Sequence, residues 1–110
     1  MPDEAAPGRV YSERIGHTLK IVIDNVTRRN SLIPEMSLQL SEALTLLDRD
    51  PELWVGVLCA EGGHFTAGLD MPKFFGPGAT PVQIPDGNVD AFQLARMCRK
   101  PIVAAVQGIT

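Results

Sequence analysis

Along residues 10–15 the chain reads Val-Tyr-Ser-Glu-Arg-Ile, so that Val10, Ser12 and Arg14 alternate with Tyr11, Glu13 and Ile15 before Gly16-His17. Leu19 to Ile23 is then a run rich in β-branched residues, and the two stretches predict strands joined by a tight turn at Gly16. Asp24 to Ser31, DNVTRRNS, is polar and rich in turn formers, which predicts an exposed loop. From Pro34 to Asp48 the apolar residues Met36, Leu40, Ala43, Leu44 and Leu47 recur at helical spacing. Ser37, Ser41, Glu42, Thr45 and Asp48 fall on the other face of that helix, and Pro34 suits its first turn. Asp50-Pro51 stops it, and Leu53 to Ala60 is apolar enough for a strand buried on both faces. Strand, helix and strand in this order predict a right-handed crossover unit.

Further on, Met71 to Phe75 predicts one short helical turn, and Gly76 to Gly87 carries three prolines and no period, which predicts a loop. Val89 to Cys98 predicts a helix through Phe92, Ala95 and Met97, and Pro101 to Val106 a second buried strand. The first eight residues, with Pro2, Pro7, Asp3 and Glu4, predict a flexible tail ahead of a unit over residues 9–110.

Composition narrows the class. A chain of 110 residues that is 45% hydrophobic suits one soluble globular unit. Its net charge of −3 gives no basic field for nucleic acid. Residues 1–14 lack the basic and apolar regions of a secretory signal, and no apolar stretch reaches the ~18 residues of a membrane span, so a cytoplasmic protein away from the membrane is expected. Cys59 and Cys98 match neither a zinc knuckle nor a redox pair, and two buried free thiols are expected.

The stretch GGHFTAGLD, residues 62–70, directly follows the second apolar strand and invites three chemistries. Gly63 and Gly68 have the spacing of a phosphate-binding loop, but Leu69 and Asp70 stand where that loop needs Lys and Ser or Thr. Nucleophilic or metal chemistry has no support: no serine sits in an elbow, and His64, Asp70 and Cys59 have no ligand spacing, so no metal is expected. The third is a site made of main-chain N–H groups, which glycine permits by bringing the backbone close to a ligand and adopting positive φ. Such a site leaves little side-chain signature, and a tight strand-to-helix turn would read the same way.

Three segments in order carry a resemblance. FTAGLD resembles the F-x-A-G-x-D segment of the crotonase superfamily of enoyl-CoA hydratases and isomerases. RRNSLIPEM resembles that family's R-N-A-L-x-x-x-M entry into its first long helix, and KPIVAAVQG its K-P-V-I-A-A-V-N-G strand, with Gln107 in place of the usual asparagine. The resemblance implies an α/β fold, the N-terminal part of the crotonase-like ββα spiral. It also implies binding of an acyl-CoA thioester whose enolate-like oxygen is held by two backbone N–H groups, the first falling on Leu69.

Ala67, Gly68, Asp70 and Met71 match positions whose backbone lines the coenzyme A site. Arg28 to Ser31 match the segment lining the mouth of that site, where Arg29 is expected to face a phosphate, the alternatives being that Arg28 or neither turns inward, and Ser31 is expected among the coenzyme A-binding residues. No cofactor is implied beyond coenzyme A carried on the substrate, and a homotrimer or hexamer is. The glycine-rich segment with the second donor, and the two glutamates that do the acid–base work, match nothing between Met1 and Thr110. The resemblance therefore covers the N-terminal portion of a domain normally well over twice as long. The function the resemblance implies is enoyl-CoA hydration or isomerisation in full-length form; the alternative is a non-catalytic acyl-CoA-binding or interaction module, or an inactive fragment.

Overall fold

The computed structural model describes residues 7–79, 84–90 and 98–108. Strands β1 (Arg9–Ile15) and β2 (Thr18–Asp24) form an antiparallel hairpin, with Ile15 opposite Thr18 across the Gly16-His17 turn. Helix α1 (Pro34–Arg49) follows, then β3 (Val55–Ala60), the short helix α2 (Met71–Phe75) and β4 (Ile102–Ala104). The sheet order is β1-β2-β3-β4, with β3 parallel to β2 and β4 parallel to β3. The parallel pairing demands a crossover, and α1 supplies it between β2 and β3.

The core lies between the sheet and α1. Leu19, Ile21 and Ile23 point from one face of β2, and Met36, Leu40, Ala43, Leu44 and Leu47 come from α1. That alternation on the strand and helical spacing on α1 are what the apolar pattern predicts. Leu47 packs directly on β3 where Gly56 leaves room: a Cβ there would lie 2.7 Å from Leu47 Cδ2.

Several expectations change. Ser37, Ser41 and Thr45, placed by their spacing on the face of α1 opposite the apolar residues, are buried, whereas Glu42 on that face is exposed. These three positions form one stripe four residues apart. Ser41 Oγ donates to the carbonyl of Val89, and Thr45 Oγ1 accepts the Val89 N–H at 2.8 Å, so two small hydroxyls satisfy the backbone of a segment crossing the helix. Val89 itself is buried. Strand β3 is half-buried along most of its length, and Val103 of β4 is exposed, because the sheet face away from α1 carries no covering element among the described residues.

Gly8, assigned to the tail by sequence, is buried beside Asn25 and Met36. The helix expected over residues 89–98 falls mostly outside the described residues, as do positions 1–6 and 80–83. Both cysteines are free thiols, half-buried where full burial is expected. Among the described residues, no helix is long and apolar enough to cross a membrane.

Candidate functional site

Two loops meet at the carboxyl ends of β2 and β3. The first, residues 25–32, contains a single 3-10 turn over Val26–Arg28 and then two consecutive residues at positive φ, Arg29 at 54° and Asn30 at 58°. Contrary to the exposed loop expected, Asn25 and Asn30 are buried. Asn30 suits this place for two reasons: asparagine tolerates the left-handed region better than most residues, and its amide offers an acceptor and two donors.

All of that capacity is used. Asn30 Oδ1 accepts the Asn25 N–H at 2.6 Å, and Nδ2 donates to the carbonyls of Glu61 and His64 at 2.8 and 2.7 Å. Asn25 Nδ2 in turn donates to the Ser31 carbonyl at 2.8 Å. The asparagine thus ties the first loop to the glycine-rich second loop, residues 61–70.

Main-chain bonds complete the joint. The Ala67 N–H donates to the Arg29 carbonyl at 3.0 Å, and Leu32 pairs with Leu69 in an isolated parallel bridge. In that bridge Leu32 does the bonding on both sides: its N–H donates to the Gly68 carbonyl at 2.8 Å and its carbonyl accepts the Asp70 N–H at 2.8 Å. A parallel bridge of this kind turns the polar groups of the partner residue, Leu69, to the other side of its strand. Gly68 has φ of 97° with open space where a Cβ would go, so its backbone conformation and not crowding calls for glycine.

The amides of the F-x-A-G-x-D segment are therefore not equivalent. Those of Ala67, Gly68 and Asp70 are taken by Arg29, by Thr66 Oγ1 at 3.1 Å and by Leu32. The Leu69 N–H has no acceptor among the described residues. Leu69 is half-buried, packed against the core.

The other sequence-singled residues group around this point. Arg28 and Arg29 are exposed and make no ion pair among the described residues, while Ser31 is half-buried. Asp70 caps α2 through its carbonyl, which accepts the Lys73 and Phe74 N–H groups, and its carboxylate makes no cap. Met71 opens α2 and is exposed. An open cleft of ≈ 720 Å³ is bordered by Ile33, Glu35, Pro72 and Lys73 among others, residues that follow the two members of the Leu32–Leu69 bridge along the chain.

The far side of the glycine loop is held by Gln107, whose carbonyl accepts the Phe65 N–H at 2.7 Å while Nε2 donates to the Ala60 and Gly62 carbonyls at 3.1 and 3.3 Å. Glu61 accepts a hydrogen bond from Tyr11 Oη, and that contact is the main cause raising the Tyr11 pKa. Asn30, Thr66 and Gln107 were not singled out by side chain as site-forming; only the asparagine carried a signal, a turn-forming residue inside the R-N segment. Among the described residues, no His, Cys, Asp and Glu group could hold a metal.

Residues 14–110 match the family model described as enoyl-CoA hydratase/isomerase. The chain is 33% identical over 100 residues to the enoyl-CoA hydratase EchA19 of Mycobacterium tuberculosis, covering 87% of this chain and 38% of that protein. It is 34% identical over 99 residues to a putative enoyl-CoA hydratase of Thermus thermophilus, with 84% and 38% covered. The fold matches the crystal structure of enoyl-CoA hydratase EchA1 from Mycobacterium marinum with a TM-score of 0.75 at 36% identity, over 91% of this chain and 38% of that one. The architecture is accordingly the α/β crotonase fold in part, and the chain spans 38% of the length of these relatives.

Proposed function

This chain belongs to the enoyl-CoA hydratase/isomerase family, and from that premise we propose that its glycine loop binds an acyl-CoA thioester with the Leu69 N–H directed at the thioester oxygen. One observation carries the reading: of four consecutive amides, the three around Leu69 are engaged by protein acceptors and its own is left for a ligand. A thioester carbonyl gains charge on oxygen as it becomes enolate-like. A donor already fixed in place stabilises that charge without reorganising.

Coenzyme A brings phosphates to the same place. Arg29 is joined to Ala67 by a main-chain hydrogen bond, so the backbone that carries Arg29 runs beside the glycine segment, with Arg28 adjacent in sequence. Both are free to pair with phosphate oxygens, for which arginine's planar fork is suited. Ser31, Ala67, Asp70 and Met71 line the same approach in this reading. These residues hold and polarise the thioester; proton transfer is not assigned to any of them. For the full-length protein the reading gives enoyl-CoA hydration or double-bond isomerisation.

The test is binding first and turnover second. Affinity for a saturated acyl-CoA should be lost in Gly68→Pro and kept in His64→Ala; equal loss in both would contradict a main-chain donor. Hydration and isomerisation assays on the full-length protein then separate the activities. CoA-ester binding without either turnover would favour the non-catalytic module.

A further inference from the structure

The open position of the F-x-A-G-x-D segment is Thr66, and its hydroxyl connects the two loops. Thr66 Oγ1 donates to the Asn30 carbonyl at 2.6 Å and accepts the Gly68 N–H at 3.1 Å. The first bond spends the hydroxyl proton and leaves a lone pair for the second. Asn30 is a firm anchor, being 1% exposed with every polar atom of its amide bonded.

Resting on the thioester-site reading above, we propose that Thr66 is a positioning residue that withdraws the Gly68 N–H, so that the thioester oxygen is met by the Leu69 N–H alone from this loop. Successive N–H groups in a turn form a concavity that shares an anion between them. With Gly68 at positive φ and no side chain to screen it, its amide would compete with that of Leu69 for the same oxygen. An oxygen shared between two donors sits off the line to either, and polarisation depends on that alignment. The Thr66 hydroxyl removes the competitor and fixes the direction of approach. Serine can do the same, whereas valine keeps the shape and loses both bonds.

The probe is an aryl-substituted enoyl-CoA, whose absorption band moves to longer wavelength when its carbonyl is polarised, added to the full-length protein and two variants. Thr66→Ser should keep the red shift of the unmodified protein. Thr66→Val should bind within about threefold of the same affinity, as expected where ground-state binding is little changed, with the red shift clearly reduced. An equal shift in Thr66→Val, or loss of the shift in Thr66→Ser, overturns the role of Thr66 alone. Absence of any shift in the unmodified protein overturns the thioester reading and this inference with it. Should Thr66→Val not fold, amide proton spectra of the unmodified protein decide: on binding, the Leu69 signal should move downfield while that of Gly68 stays. Movement of Gly68 instead overturns the proposal.

Discussion

Leu32 and Leu69 meet in a one-residue parallel bridge in which Leu32 makes both hydrogen bonds and Leu69 makes neither. The consequence is directional. The segment is fixed on one side by the Gly68 carbonyl and the Asp70 N–H, while the amide of Leu69 is turned away from the bridge. A conventional longer strand pairing would engage amides on alternate residues along both chains. A single bridge fixes one direction and leaves one donor.

Asn30 is expected to be the least replaceable side chain in the joint. Asn30→Asp keeps the acceptor but sets a carboxylate against the carbonyls of Glu61 and His64, in place of two donated bonds. Leaving such buried groups unpaired costs about 1–3 kcal/mol, and more with charge. Those carbonyls favour the protonated acid, so the folded-state pKa of the new group lies above its unfolded value of about 3.9. The variant should therefore be least impaired below that unfolded value and lose stability as pH rises through the folded one. Urea unfolding at pH 4 and pH 7 measures this; a deficit that shrinks as pH rises would contradict it.

Gly56 and Leu47 should behave as one unit. A methyl group on Gly56 would come within 2.7 Å of Leu47 Cδ2, and such overpacking costs about 1–3 kcal/mol. Leu47→Ala empties a fully buried position, at about 2–5 kcal/mol. In the double variant the new methyl occupies part of the space vacated, so its loss of stability should be less than the sum by about 0.5–3 kcal/mol. Chemical denaturation of the four proteins gives the coupling, and strict additivity would contradict the packing.

Asp48 links the end of α1 to the start of the last described segment. Its Oδ1 accepts the Arg99 backbone N–H at 2.9 Å and Nε at 3.2 Å, and these bonds hold its carboxyl below the usual aspartate range, the backbone bond first. A depressed folded-state pKa means stability that is present above the unfolded pKa and lost as pH falls through the folded one. Asp48→Asn should therefore flatten the acid side of the melting-temperature profile below about pH 4. Unchanged slopes would contradict the linkage.

The parts of the fold legible in the sequence are those with local cause. Helix α1 followed from apolar residues at helical spacing, the hairpin from alternation broken at Gly16-His17, and α2 from a short run between an acid and a glycine. What could not be read is where polar side chains find partners far along the chain. Ser41 bonds to residue 89 and Asn30 to residues 61 and 64, and each looks locally like a solvated residue. The family segments pointed to the glycine loop but not to Thr66, which stood at its open position because only the folded chain brings Asn30 beside it. The exposed Val103 was misread for the opposite reason: an apolar run signals capacity for burial, and the cover must come from elsewhere.

The central claim concerns a single proton. Replacing Leu69 by its α-hydroxy acid analogue changes the amide to an ester, removing the N–H while keeping the side chain and the carbonyl. In the full-length protein turnover of an enoyl-CoA should fall about 10²–10³-fold, the effect of deleting one oxyanion donor, with only a small drop in melting temperature, because that N–H bonds to no described residue and the Gly68 carbonyl, now an ester's, accepts the Leu32 N–H more weakly. Turnover within about twofold of the unmodified protein would contradict the claim that the Leu69 N–H receives the thioester oxygen.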